Sequence, residues 1–348
     1  MSSLILALLM FSLGLGTTLT FASSHWFLAW MGLEISTLAI IPLMAQHHHP
    51  RAVEATTKYF LTQATGAAIL LFAALTNAWL TGTWETKQLD HPIAVILLTL
   101  ALAFKMGLAP MHLWLPEVMQ GLDLTTALIL STWQKLAPFA LLTQIYYFHP
   151  DILIIIGLSS TILGGWGGLN QTQLRKILAY SSIAHLGWMV LIMQFSPSLA
   201  LLALLSYFIM TSSTFLVFKL NATTNINTLA SSWAKAPALT ALTPLLLLSL
   251  GGLPPLTGFM PKWLILQELT KQGLAPTATL AALSALLSLY FYLRLSYAMT
   301  LTIPPNTPTG TTPWRFPPIQ LTLPLAISAT ATLALLPLTP AIMALLHL

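Results

Sequence analysis

The stretch Leu102-Ala-Phe-Lys105-Met-Gly-Leu-Ala-Pro110-Met-His112-Leu-Trp-Leu-Pro116-Glu117 decides how this chain folds. It continues an apolar run that begins near residue 92, long enough to cross the roughly 30 Å hydrocarbon core of a bilayer. Yet the run holds a glycine and two prolines. A proline inside a helix removes one backbone bond and clashes with the preceding turn. Pro110 and Pro116, with Gly107 alongside, therefore predict a helix broken near mid-membrane. The pattern returns 145 positions on (107 to 252): Gly107-Leu108-Ala109-Pro110 with Pro116 is answered by Gly252-Leu253-Pro254-Pro255 with Pro261.

The rest of the chain fits a bilayer as solvent. Of 348 residues, 56% are hydrophobic and 6% charged, against roughly 25% charged in a soluble domain. Apolar length read against polar or Pro/Gly punctuation divides the chain into segments at 3–22, 26–45, 57–80, 92–120, 124–148, 151–169, 174–195, 198–220, 238–270, 276–302 and 320–346. The first, Leu4 to Ala22, lacks the positive n-region of a signal peptide and reads as a retained span. The longer connections are 46–56, 81–91, 221–237 and the Pro/Thr-rich 303–319, too short for a second, soluble domain. The expected fold is an all-α polytopic membrane protein of about eleven transmembrane helices, forming a single membrane domain over 1–348. Units 1–148 and 151–302 each hold five segments, and 320–346 is a C-terminal helix. Because five is odd, the second unit enters from the opposite face, making an inverted repeat. Interrupted helices in corresponding positions of two such halves point to a transport site near the midplane.

With this count, the loops on the N-terminal side hold Arg51, Lys58, Arg175, Lys176, Lys235 and Arg315, and the opposite side Lys87 and Lys271. Basic residues in short loops stay on the side of synthesis, so the N-terminus is expected on the inner side and the C-terminus opposite. The formal charge of +5 comes from 13 scattered Lys and Arg. No basic run exceeds Arg175-Lys176, which argues against nucleic acid. Cysteine is absent, so the chain offers no thiolate for a metal or an iron–sulfur cluster.

Four charged residues cannot be placed at segment ends: Glu34, Lys105, Lys135 and Lys262, the last just after Pro261. An ionised side chain at the bilayer centre costs at least about 2.5–3.5 kcal/mol, which makes each a functional candidate. A structural ion pair or a snorkelling lysine is the alternative for any one of them. Their grouping around the two breaks favours function. Lysine suits proton transfer in such a setting, because burial disfavours its charged form and a nearby carboxylate restores it. Two unit charges about 6 Å apart at an effective dielectric of 20 interact by roughly 3 kcal/mol, enough for displacement of Glu34 to switch Lys105. Lys105 ends one half-helix, where the dipole favours a cation. Lys262 begins another, where it does not, so Lys262 is expected to release its proton more readily.

His112, within the first break, and His185, in Ser181-Ser-Ile-Ala-His185-Leu-Gly-Trp188, are candidate relays or buried histidines satisfied by a neighbour. His47-His48-His49 lies beside Pro50 without an acidic partner and reads as a solvated turn, so no metal is assigned. Glu117 follows Pro116 and marks a channel end or a helix N-terminus. Lys219 and Arg294 read as snorkelling residues. Trp79, Trp84, Tyr146 and Tyr147 read as interface anchors.

Glu34, Phe104-Lys105-Met-Gly-Leu-Ala-Pro-Met-His112-Leu-Trp-Leu-Pro116-Glu117, Trp133-Gln-Lys135, Ser181-Ser182-Ile-Ala-His185-Leu-Gly-Trp188 and Gly252-Leu-Pro-Pro-Leu-Thr-Gly258-Phe together resemble the antiporter-like subunits of NADH:ubiquinone oxidoreductase, respiratory complex I. The resemblance covers essentially the whole chain. It implies a proton-translocating membrane subunit in the mitochondrial inner membrane, with the N-terminus in the matrix, packed among other membrane subunits and lipid. NADH, FMN, iron–sulfur clusters and ubiquinone would be bound on other subunits, with no cofactor on this chain. By resemblance Glu34 is the carboxylate partner, Lys105 and Lys135 the first-half lysines and Lys262 the broken-helix lysine of the second half. The second half departs from the first: Leu250 stands where Lys105 does, and the half-channel around Lys262 is expected to connect through His185, polar side chains or water. The competing readings are a subunit of a stand-alone cation/proton antiporter and a structural membrane subunit without its own proton path.

Overall fold

The structure, a computed structural model, describes residues 2–46, 49–89, 91–145, 150–234, 236–301 and 322–346. His47, His48, Tyr146, Tyr147, Lys235, Arg315 and the stretch 303–319 lie outside the described residues. Among the described residues all regular elements are helical: α1 Ser3–Ala22, α2 Trp26–Met44, α3 Pro50–Thr81, α4 Pro92–Met106, α5 Trp114–Gly121, α6 Leu124–Ser131, α7 Trp133–Ile145, α8 Pro150–Gly168, α9 Leu174–Met193, α10 Pro197–Leu220, α11 Ile226–Ala230, α12 Pro237–Gly251, α13 Phe259–Lys271, α14 Ala275–Thr300, α15 Leu323–Ala334 and α16 Thr339–Leu346. Among the described residues seven helices are long and apolar enough to cross a membrane singly (α1, α2, α3, α8, α9, α10 and α14), and α15 with α16 is long and apolar enough only as a pair, which is bent by 68°. The chain divides into two compact units, Met1–Ser160 and Thr161–Leu348.

Both expected breaks are present. α4 stops at Gly107 (φ 76, ψ 39) and α12 at Gly252 (φ 81, ψ 43). Each glycine takes the left-handed conformation that a side chain disfavours, which lets the chain turn out of the helix. At both ends the next residue reaches back five positions: Leu108 N–H donates to Ala103 O at 2.9 Å and Leu253 N–H to Leu248 O at 3.3 Å. The repeat in sequence is thus a repeat in backbone geometry. The first break loop is tied to α8, whose Ser160 hydroxyl accepts the Ala109 N–H at 3.0 Å. The second is tied to α15, where Thr257 donates to Thr332 O at 2.6 Å.

Elsewhere the structure corrects the segment reading. α3 begins at Pro50, not 57, because Pro suits the first helical position and His49 Nδ1 accepts the Arg51 N–H at 3.2 Å. Segment 124–148 is itself interrupted at Thr132. Pro138, one turn into α7, has no N–H for the carbonyl of Gln134, which loosens the preceding turn. Segment 320–346 bends at a 3-10 turn over Leu336–Leu338 that contains Pro337. The connection 221–237 carries α11 and a 3-10 turn, Ser231–Ala234. In the first unit α1 and α2 pack so closely that a Cβ on Gly16 would lie 2.8 Å from Gly32 O, the small-residue contact that brings membrane helices together.

Candidate functional site

In the first unit α2, α3, α4, α5 and α7 enclose a cavity lined by Ser36, Tyr59, Gln63, Lys105, Gln134 and Lys135 among others. Lys105 is 6% exposed and Lys135 2%. Room for Lys105 comes from Gly66 on α3, where a Cβ would meet Lys105 Cγ at 3.1 Å. The half-helix end beside Lys105 is satisfied by neutral donors: Trp114 Nε1 donates to Phe104 O at 3.2 Å and Gln63 Nε2 to Lys105 O at 3.5 Å. The ammonium itself is left over. Lys105 Nζ and Glu34 Oε2 are both buried without a hydrogen-bond partner, and Glu34 is the carboxylate whose charge acts on Lys105 and on Tyr59. A buried polar atom without a partner costs about 1–3 kcal/mol, more when charged. The first unit therefore leaves two buried polar atoms of opposite sign without hydrogen bonds.

The second unit solves the same problem differently. Position 250 is Leu, and the ammonium at the half-helix end comes instead from the other side of the break: Lys262 Nζ donates to Gly251 O at 2.9 Å. A Cβ on Gly252 would lie 3.1 Å from that nitrogen, so this glycine provides both the turn and the space. The dipole argument that set Lys262 apart from Lys105 therefore fails. Although Lys262 belongs to the first turn of α13, its long side chain carries the charge back to the C-terminal end of α12, where exposed carbonyls favour a cation. His185 and Lys262 line one cavity with Ser206 and Met210, and His185 packs on Tyr207 with ring centroids 5.6 Å apart.

The remaining candidates fall elsewhere. His112 sits in the first break, 8% exposed, with Nδ1 3.2 Å from Pro110 O, and does not line the Lys105–Lys135 cavity. Glu117, in the first turn of α5, pairs with Lys58 at 2.8 Å, and Lys58 also pairs with Glu54 at 2.8 Å. Arg294 does not snorkel: its Nη1 donates to Leu169 O at 2.8 Å, just past the end of α8, where helix carbonyls lack partners. Trp79 is exposed, as an anchor would be, whereas Trp84 stacks on His25 with centroids 5.4 Å apart. Among the described residues no group of three His, Asp or Glu could hold a metal ion. Sequence reasoning passed over Tyr59, Gln63, Gly66 and Gln134. Two amide side chains inside apolar spans were the available signal, and Gln134 Nε2 donates to Ser36 O on α2 at 2.9 Å.

A helical membrane fold with a helix broken beside a buried lysine in the first unit and beside a half-buried one in the second defines an antiporter-like membrane protein. The comparisons with known proteins agree. Residues 23–288 match the family described as NADH:quinone oxidoreductase/Mrp antiporter, transmembrane region, and residues 289–343 match the NADH dehydrogenase subunit 2 C-terminus. NADH-ubiquinone oxidoreductase chain 2 of Tetraodon nigroviridis is 72% identical over 348 residues, 100% of both chains. Among solved structures, a chain of respiratory complex I from Thermus thermophilus superposes with a TM-score of 0.84 at 29% identity, over 98% of this chain and 79% of that one. A chain of the Mrp complex from Dietzia sp. gives a TM-score of 0.86 at 18% identity, over 97% and 76%, a likeness of fold. The chain belongs to the NADH:quinone oxidoreductase/Mrp antiporter family and, within it, to the NADH-ubiquinone oxidoreductase chain 2 proteins.

Proposed function

We propose that this chain is a core membrane subunit of NADH:ubiquinone oxidoreductase, respiratory complex I, and takes part in proton translocation across the mitochondrial inner membrane. The observation that carries the site assignment is the pair of buried, unpartnered atoms Glu34 Oε2 and Lys105 Nζ beside a cavity that also reaches Lys135. Lys105 holds a proton while Glu34 is charged and near. When Glu34 is displaced or neutralised, the ammonium loses its compensating charge and passes the proton through the cavity towards Lys135, with Gln63, Gln134 and Tyr59 as polar wall. In the second unit Lys262 alternates between its dock on Gly251 O and the cavity it shares with His185. A protonated lysine is held on the carbonyl by a charge-assisted bond, and a neutral one is released. His112 serves the first break as a relay at its Pro110 side.

On this reading the chain crosses the membrane about eleven times as two inverted five-helix units and a C-terminal helix. α4 with α5, α6 with α7, and α12 with α13 make broken crossings in addition to the long helices. Arg51, Lys58, Arg175 and Lys176 support an N-terminus in the matrix. NADH, FMN, iron–sulfur clusters and ubiquinone belong to other subunits of the complex, and this chain packs against neighbouring antiporter-like subunits. The test is Lys105→Met in the assembled complex, in sealed vesicles driven by NADH. The proton-to-electron ratio should fall while the complex still assembles. A normal ratio would mean a structural subunit, and proton movement driven by an imposed cation gradient without NADH would mean a stand-alone antiporter.

A further inference from the structure

The two breaks are finished by different side chains at equivalent positions. In the register that sets Gly107 on Gly252 and Pro116 on Pro261, Lys105 corresponds to Leu250, Trp114 to Phe259 and Glu117 to Lys262. In the second unit the donor that reaches back across the break is Lys262, which bonds Gly251 O at 2.9 Å. In the first unit position 117 is an acid, and its carboxylate turns instead to Lys58 on α3 at 2.8 Å. The side chain that reaches back is therefore Trp114, whose indole Nε1 donates to Phe104 O at 3.2 Å. Phe259 has an aromatic ring but no N–H to give.

The surroundings fix this indole in place. Trp114 is 8% exposed, and its ring centroid lies 5.9 Å from that of Tyr59 on α3. A Cβ on Gly107 would lie 3.4 Å from Trp114 Cζ2, so the indole spans the break from the start of α5 to the last turn of α4. Lys105 belongs to that last turn, from which a lysine side chain can bond the final carbonyls. Here it does not: Lys105 Nζ has no hydrogen-bond partner. Neutral donors hold the carbonyls of Phe104 and Lys105, Trp114 the first and Gln63 the second at 3.5 Å. Lys262, with Phe259 beside it, makes the bond that Lys105 forgoes.

We propose that Trp114 and Gln63 are positioning residues for Lys105: their neutral N–H groups occupy the end of α4, so the ammonium is not captured there and stays available to Glu34 and the cavity. This rests on the reading of Lys105 as a proton-carrying residue. Neither Trp114 nor Gln63 takes up or releases a proton. Each satisfies a carbonyl without bringing a second charge into the site. A lysine docked on its own half-helix would be held by a charge-assisted bond, in competition with Glu34. Removing the indole N–H opens that competition.

The experiment uses the assembled complex in sealed vesicles, comparing Lys105→Met, Trp114→Phe and Trp114→His by proton-to-electron ratio and thermal inactivation. Lys105→Met defines the share of pumping that depends on Lys105. Trp114→Phe keeps a six-membered ring and removes the donor. Trp114→His does the reverse, because imidazole Nε2 falls where indole Nε1 stood on the five-membered ring. Trp114→Phe should lower the Lys105-dependent share about fivefold, the effect of one lost hydrogen bond. Trp114→His should retain that share even where thermal inactivation comes earlier, and Lys105→Met with Trp114→Phe should lose no more than Lys105→Met alone. An indole that serves packing alone would give the opposite order, with phenylalanine retaining the share and histidine losing it, which overturns the proposal. Equal losses from the two variants, normal pumping by Trp114→Phe where Lys105→Met is impaired, or a further loss in the combined variant overturn it too. Should a Trp114 variant fail to assemble, Gln63→Leu decides: a lowered share that the Lys105→Met background does not deepen supports the proposal, and any other outcome overturns it. Normal pumping by Lys105→Met overturns the reading of Lys105 and the positioning role together.

Discussion

Gly252→Ala and Gly107→Ala make a matched pair, because the two glycines end α12 and α4 with nearly the same backbone (φ 81 and 76). Alanine in the left-handed region costs about 1–2 kcal/mol at either position. What the new methyl meets is different. At 252 it would lie 3.0 Å from Lys262 Cδ and 3.1 Å from Nζ, so the lysine side chain must give by a few tenths of an ångström and its bond to Gly251 O is weakened. At 107 it would lie 2.9 Å from Leu115 Cδ1, an apolar neighbour. A hydrogen bond to a charged group contributes roughly 1.5–3 kcal/mol, so partial loss of it in Gly252→Ala should shift the Lys262 docking equilibrium by up to about tenfold, at 1.4 kcal/mol per factor of ten. Gly107→Ala should leave Lys105 as it was. The assay is thermal inactivation of the assembled complex together with proton-to-electron ratio in vesicles. Both variants should be destabilised to a similar degree, and only Gly252→Ala should also lower the ratio per active complex. Equal losses of pumping from the two variants would refute the assignment of Gly251 O as the functional dock of Lys262.

Glu34→Gln removes the charge that acts on Lys105 while keeping its shape. NADH-driven acidification should fall as it does for Lys105→Met, and combining the two should lower it little further. Gly66→Ala places a methyl 3.1 Å from Lys105 Cγ and from Phe104 Cδ1. Crowding at such a site costs about 1–3 kcal/mol, so pumping should drop in an assembled complex, whereas Gly14→Ala, where nothing lies within 4 Å, should be neutral in the same vesicle assay. Arg294→Ala removes the donor to Leu169 O at 2.8 Å. Thermal inactivation should come earlier, by the equivalent of about 1.5–3 kcal/mol, at an unchanged proton-to-electron ratio.

The sequence by itself determined that the bilayer is the solvent, that the fold is built of helices, and that two helices are broken 145 positions apart (107 to 252). These follow from local chemistry: apolar length, the missing N–H of proline and the left-handed freedom of glycine act within a turn or two of where they stand. It also singled out Glu34, Lys105, Lys135 and Lys262, because a charge in an apolar run is visible without knowing its neighbours. Only the tertiary structure decided what those charges face. Lys262 reads as the start of a helix, yet its four-carbon stem delivers the ammonium to the end of another, and Arg294 likewise reaches a carbonyl 125 positions away in the chain. The bend at Leu336–Leu338 escaped the sequence because a proline such as Pro337 is also tolerated inside membrane helices, and packing settles whether the helix bends.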